Sequence, residues 1–474
     1  MRKALGVGVG GFILFGGTAR GALELTSRIR ASAPPCLLIG SDLERGAGQQ
    51  FAGVTTLPPP AALAFVGDPE TTRRCGRITA EEARELGLNW VLAPVADLDV
   101  ESRNPVVATR SFGADVTQVA SHVAAWVTGC VEGGAIPCVK HFPGHGRTAG
   151  DSHVERPVVD APADLLLYTD LLPFTAAFAA GAGSVMTAHV TYPALDGREN
   201  VATLSHSIID GLLRRKLGFK GLVVSDAIGM AGLSGSIGEG EAAVRAVLAG
   251  CDVLLYPEDP AGVIEALRAA IATGRVSRER LGISIARIER VVRETATMEV
   301  SRSSLPAGTS RQDWADEVAM RSIVVLRGDP RPIHGARIVD VDDDLGGPYA
   351  TPPRESFRSV FHGNGSVSSQ GEIPDIVALY SDPRAWKGRA GLTSELRTRL
   401  GRIFARSPGA ILVIFGHPRL IEGLDFARHV VCAWGGDEVM QRAAAGWLST
   451  RTSDRIVTAS TRNGEMLREG PDAG

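Results

Sequence analysis

Residues 222–256 read LVVSDAIGMAGLSGSIGEGEAAVRAVLAGCDVLLY. A short apolar run, Leu222–Ser225, ends on Asp226. An amphipathic stretch, Glu239–Ala249, follows, and a second apolar run occupies Asp252–Tyr256. Apolar runs this short, with no polar alternation, suit strands buried on both faces, and the helical pattern between them is long enough for a crossover. The stretch therefore predicts one strand–helix–strand unit with parallel strands.

The same pattern extends upstream. Further strands are expected at Phe12–Phe15, Cys36–Ser41, Trp90–Val95, Pro137–Lys140 and Ser184–Ala188. Helices are expected at Val116–Val131, Ala163–Ala179, Ser205–Leu217 and, downstream, Pro260–Ala272. Regular alternation of this kind predicts an α/β fold of the (β/α)8-barrel type. Only seven strands can be read where a closed barrel of this type has eight, so either one is irregular or the first is missing. Gly6, Gly8 and Gly10 make residues 1–10 a poor strand, and a gap before Phe12 is the expectation. Residues 1–10 would fill it irregularly, a second chain would cover it, or the protein would start upstream.

Residues 1–295 form the expected barrel domain. A polar stretch at 296–318, with Ser301–Ser304 and Pro306–Gly308, reads as a linker. Residues 319–474 then repeat short apolar runs at Ile323–Leu326, Arg337–Val341, Ile376–Tyr380, Ile411–Phe415 and Val430–Trp434. Helical patterns at Thr393–Ala405 and Glu438–Leu448 intervene. They predict a smaller α/β domain with a mainly parallel sheet.

A chain of 474 residues is long enough for two cores. The balance of 50 basic against 53 acidic residues carries no nucleic-acid footprint. The six cysteines lack a C-x-x-C pair, and several sit in apolar runs, so they read as buried thiols in a reducing compartment. Met1-Arg2-Lys3 followed by Ala4–Gly17 has the outline of a signal peptide, but its glycines favour a turn and a buried strand. No long unbroken apolar run predicts a membrane span. The expected location is the cytoplasm; the oligomeric state is not legible.

In a barrel, residues at the C-terminal strand ends converge on one site. Asp42, Asp97 and Asp99, Lys140 and His141, His189 and Asp226 all fall at such ends. Any one of them alone would read as a helix cap or a loop ion pair, but repetition over several strands points to a site. The densest stretch is Lys140-His-Phe-Pro-Gly-His-Gly-Arg-Thr-Ala-Gly-Asp-Ser-His153. Pro143, Gly144 and Gly146 deny His141 and His145 a helical metal-ligand spacing, so a metal-free loop is expected, with no cofactor.

This stretch, with Ala108-Thr-Arg-Ser-Phe112, Met186-Thr-Ala-His189 and Val224-Ser-Asp-Ala-Ile-Gly-Met230, resembles the signature of bacterial β-N-acetylglucosaminidases of glycoside hydrolase family 3. The resemblance implies Asp226 as nucleophile, His153 as acid/base with Asp151 as its partner, and Asp42, Arg110, Lys140, His141 and His189 as sugar-binding residues. It implies a small glycoside or muropeptide substrate, with release of GlcNAc from peptidoglycan fragments. Imidazole in place of the usual second carboxyl fits an acid/base working near neutrality, since its unperturbed pKa is about 6.5. Where relatives carry Asp-x-Glu-Gly-Gly and arginines, this chain reads Asp42-Leu-Glu-Arg-Gly-Ala-Gly-Gln-Gln50, so Gln50 stands at a position where arginine is common. Competing readings are a phosphorylase on the same site, a sugar-binding protein without activity, and a β-glucosidase or β-xylosidase of the same family.

Overall fold

A computed structural model describes residues 6–32, 36–150, 156–197, 200–234, 237–297, 305, 308–333, 335–347, 351–361, 375–384, 387–450, 458–462 and 465–469. It divides into two compact units. One comprises residues 1–55, 69–101 and 115–304; the other comprises 56–68, 102–114 and 305–474. Two short segments inside the expected barrel range thus pack with the second unit. The expected linker range contains the start of the helix Arg311–Ser322, whose N-terminus is locked by a reciprocal Ser310–Asp313 capping box.

The first unit is built on seven strands: β1 Gly11–Ile13, β2 Leu38–Ser41, β3 Trp90–Val91, β4 Ile136–Phe142, β5 Ser184–Thr187, β6 Leu222–Ala227 and β7 Val253–Leu255. They pair in sequence order, every neighbour parallel. All seven overlap the expected strands: β2, β3, β5 and β7 are shorter than expected, β4 and β6 run longer, and β1 is shifted to start at Gly11. The third is shortest because Pro94 has no N–H to give; Val95 rejoins only as an isolated bridge to Lys140. Residues 6–8 make a helical turn, and among the described residues no strand lies between β1 and β7. The two edges still meet, because Phe15 and Tyr256, just beyond β1 and β7, make an edge-to-face contact at 5.7 Å.

Leu38, Trp90, Leu92, Ile136, Cys138, Met186, Leu222, Val224 and Leu255 form one core cluster in this sheet, joined by Val291 and Val292 of the helix Arg278–Ala296. At the N-terminal edge of β7, the fully buried Asp252 carboxylate accepts from Arg214, Arg287, Ser284 and the Val223 amide. Burial lowers the Arg214 guanidinium to about 10, although Asp252 opposes the shift. That cluster ties the edge strand to the last helix, at the end of the barrel where a bound residue serves stability.

Two helices outside the sheet, Pro69–Glu85 and Val116–Glu132, pack backbone to backbone. A Cβ on Gly76 would overlap the Trp126 carbonyl, and one on Gly129 the Arg73 carbonyl. Only glycine fits at such a crossing.

The second unit carries β8 Val324–Arg327, β9 Ile338–Asp342, β10 Ile376–Ser381, β11 Ile411–Gly416, β12 His429–Cys432, β13 Thr458–Arg462 and β14 Glu465–Glu469. Their order is β14-β13-β8-β12-β11-β10-β9. The run β9 to β12 is parallel as expected, while β8 pairs antiparallel with β12, and the β13–β14 hairpin was not expected. Its core runs from Val341, Val377 and Leu379 through Leu412 and Ile414 to Leu400 and Phe404 of the helix Ser394–Arg406. No described helix of either unit is long and apolar enough to cross a membrane.

Gly129→Ala forces the two helix backbones apart. Overpacking of this kind costs about 1–3 kcal/mol, so the apparent melting temperature should fall by several degrees while a surface Gly282→Ala control, where an added Cβ meets open space, does not fall below the parent.

Candidate active site

The C-terminal ends of the strands in the first unit collect the expected polar residues. Lys140, near the end of β4, is almost wholly buried, and its Nζ lies 2.7 Å from Asp42 Oδ1 and 2.7 Å from Glu44 Oε1. A buried ammonium needs such partners, because an unpaired charge there would be expelled or neutralised. Two carboxylates around one lysine leave the cluster with a net negative charge. Asp42 keeps about a third of its side chain exposed, whereas Glu44 is buried.

Asp97 lies beyond β3 with no exposed surface. It accepts from His141 Nδ1 at 2.7 Å, from the His145 amide at 2.7 Å and from the His141 amide at 3.2 Å. Because a carboxylate only accepts, His141 Nδ1 carries the proton, which fixes the tautomer. Burial pushes the Asp97 carboxyl up, but the His141 charge and hydrogen bond and the His145 contacts outweigh it, and the group ends below the ordinary aspartate value.

His145 packs edge-on against His141 at 5.9 Å, with Nδ1 2.9 Å from Thr148 Oγ1. Burial first, then the neighbouring His141, lowers its pKa to about 4, against the pull of Asp97 and Asp226. The turn between the two histidines is fixed from outside as well: the Tyr192 hydroxyl donates to the Gly144 carbonyl at 2.7 Å, and Arg147 Nε donates to the buried Asp170 at 2.8 Å.

Asp226 sits within β6, one residue from its end, half-buried, with Oδ1 accepting from the Ala227 amide at 2.7 Å. His189, fully buried beyond β5, donates from Nε2 to the Ala227 carbonyl at 3.0 Å and meets Thr203 Oγ1 at 2.8 Å through Nδ1. Both of its nitrogens are thus engaged within the protein, and they brace the backbone that carries Asp226. The Cys138 thiol, raised to about 12 chiefly by burial, lies within the electrostatic reach of Lys140, Asp42 and Asp226 together.

The fold therefore brings Asp42, Lys140, His141, His189 and Asp226 to neighbouring strand ends. Arg110 belongs to the second unit, where Nη1 donates to the Val106 carbonyl at 3.0 Å. Asp151 and His153 lie outside the described residues. Sequence reading passed over Glu44, Asp170, Tyr192 and Thr203; of these only Glu44, two residues after Asp42, carried a signal. Among the described residues no group of three His, Cys, Asp or Glu side chains is placed to hold a metal ion.

Residues 6–291 match the N-terminal domain of the glycosyl hydrolase family 3 proteins. The chain belongs to glycosyl hydrolase family 3. As the motifs implied, it is a glycoside hydrolase. It is 34% identical over 418 residues to a β-N-acetylglucosaminidase/β-glucosidase of Cellulomonas fimi, covering 83% of this chain and 73% of the relative. It is 37% identical over 274 residues to a β-hexosaminidase of Chromobacterium violaceum, covering 56% of this chain and 76% of that one. Among solved structures, a family 3 β-N-acetylglucosaminidase from Paenibacillus sp. str. FPU-7 superposes with a TM-score of 0.81 at 29% identity, covering 93% of this chain and 90% of that chain. A seven-stranded parallel sheet followed by a second α/β unit is thus a family arrangement.

His145 gives the site a pH signature. Between about 4 and about 6.5 the unfolded chain binds a proton on this histidine that the folded one does not. Stability should therefore fall as the pH drops through that window. Denaturant midpoints measured from pH 7 to pH 4 should slope less steeply for His145→Asn than for the parent, whatever the variant's absolute stability.

Proposed function

We propose that this glycoside hydrolase is a retaining exo-β-N-acetylglucosaminidase that removes terminal β-linked GlcNAc from peptidoglycan fragments in the cytoplasm. The observation that carries the reading is a half-buried Asp226 on β6 and the Asp42–Lys140–Glu44 cluster at β2 and β4, on the C-terminal side of one parallel sheet, with Asp42, Lys140 and Asp226 all in electrostatic reach of the Cys138 thiol. The names of the Cellulomonas, Chromobacterium and Paenibacillus relatives support the choice of sugar. Five buried cysteines kept as thiols suit a reducing compartment.

In this reading Asp226 attacks the anomeric carbon and forms a glycosyl ester, while His153, partnered by Asp151, protonates the departing oxygen and then activates the second nucleophile. The Ala227 amide holds one carboxylate oxygen of Asp226, which orients the nucleophile before substrate arrives. Asp42 accepts from sugar hydroxyls, and Lys140, clamped by Glu44, donates to them. His141, its tautomer set by Asp97, presents Nε2 to the sugar. We assign His189 a positioning role instead of a sugar contact, because both ring nitrogens are taken.

Asp226→Asn preserves the volume but removes the nucleophile, so turnover on aryl β-GlcNAc should fall by at least about 1,000-fold with the melting temperature unchanged. Activity within ten-fold of the parent would refute the nucleophile assignment.

A panel of aryl β-glycosides run with and without phosphate tests the rest of the reading. kcat/KM should drop steeply from β-GlcNAc to β-glucoside, because a site that hydrogen-bonds the acetamido group leaves its partners unpaired with glucose. Comparable values would favour the glucosidase reading. Release of free GlcNAc, with no GlcNAc 1-phosphate in added phosphate, is expected; the sugar phosphate as main product would make the enzyme a phosphorylase.

A further inference from the structure

The rim of the site carries an exposed aromatic pair to which the chemistry so far gives no role. Phe15 stands two residues past β1 and Tyr256 one residue past β7. Ile13 pairs with Gly40, which brings Phe15 level with Asp42; Leu255 pairs with Ala227, which brings Tyr256 beside the segment holding Asp226. The two rings thus meet at the C-terminal ends of the edge strands, the end of the sheet at which Asp42 and Asp226 also stand.

We propose that Phe15 and Tyr256 form a stacking platform for the first sugar of the leaving group. The proposal rests on the glycosidase reading above. Exposure separates it from simple packing: Phe15 is 53% exposed and Tyr256 58%, whereas the edge-to-face pair Phe142 and Phe174 inside the unit is wholly buried. A pair that served only to cover the seam between β1 and β7 would bury its faces.

The platform is held in place. Tyr256 adopts a positive φ of 48°, a conformation that costs a non-glycine residue energy and is retained where a side chain must be aimed. The loop after Phe15 is pinned to the loop after β2: the Gly16 amide donates to Gln50 Oε1 at 3.1 Å and the Ala52 amide to the Gly17 carbonyl at 2.9 Å. Gln50, standing where arginine is common in the family signature, thus serves as a neutral strut under the aromatic rim.

The neighbourhood selects the occupant. An aromatic face matches the C–H face of a pyranose, and carboxylates beside it match the hydroxyls around the ring's edge. A purely apolar group would offer no donor to the partly exposed Asp42 and Asp226 carboxylates. A sugar ring satisfies both.

The test compares two substrates in Phe15→Leu, Tyr256→Leu and the double variant. One substrate is GlcNAc-β-1,4-GlcNAc, whose leaving group is a sugar; the other is N-acetyl-β-glucosaminyl fluoride, whose leaving group is an ion. Leucine keeps apolar bulk over the seam, so the fold is retained, and melting temperatures report whether it is. The variants should lose about five- to ten-fold more kcat/KM on the disaccharide than on the fluoride, chiefly through KM, and Tyr256→Phe should restore the ratio. Equal losses on both substrates would overturn the platform and leave the glycosidase reading standing. A change of oligomeric state by light scattering, with the substrate ratio unmoved, would assign the face to a second copy of the chain and overturn it too. A parent enzyme inactive on both substrates would remove the glycosidase reading and the platform with it.

Discussion

Asp97 is the group on which the geometry of the site depends. A carboxylate with no exposed surface is costly unless several donors face it, and here three do: the ring of His141 and the amides of His141 and His145. These bonds bend the chain after β4 into the turn that Tyr192 and Arg147 then brace. Lys140 precedes this turn by one bond, so the position of its ammonium between Asp42 and Glu44 is set by the same anchor. Asp97 also engages the two neighbouring histidines in different ways. It holds His141 by a direct bond to the ring, but reaches His145 through the backbone amide, leaving that ring to be governed by burial.

The seven-stranded sheet raises a separate problem. Edge strands with unpaired backbone groups invite pairing with other chains, and β1 and β7 have no strand between them among the described residues. The molecule manages this edge at both ends. Asp252, through Arg280 and Arg287, ties the start of β7 to the helix Arg278–Ala296, and the Phe15–Tyr256 contact joins the rims. Both edge strands are also only three residues long, a known way of blunting an edge.

The strands of the first unit were legible because each is a short apolar run ending on a charged or polar residue, and burial on both faces writes that pattern directly. Glycines at 6, 8 and 10 likewise pointed away from a strand in their own stretch, and among the described residues 6–8 form a helical turn. The segments 56–68 and 102–114 were not legible as parts of the second unit, since packing between distant stretches leaves no local period. The β13–β14 hairpin was missed because its strands, TASTR and EMLRE, carry polar residues with little apolar alternation. In the site, residue type and strand-end position pointed to Asp42, Lys140 and Asp226. They could not show that His189 spends both nitrogens inside the protein, because a histidine's partners are set by tertiary contacts.

The charge balance of the described groups bears on which second nucleophile the site suits. Asp42 and Glu44 hold the buried Lys140 ammonium between them, and Gln50 adds no charge where arginine is common. A site with excess negative charge stabilises the cationic character that develops at the anomeric carbon. The same excess opposes an anionic phosphate: at about 7 Å and an effective dielectric constant of about 20, each unbalanced carboxylate costs a phosphate charge about 2 kcal/mol. Replacing a carboxyl acid/base by imidazole removes one such charge, which helps phosphate by a similar amount. In the proposed reading, the two carboxylates on one ammonium at Asp42, Lys140 and Glu44 act against phosphate, and the imidazole acts for it.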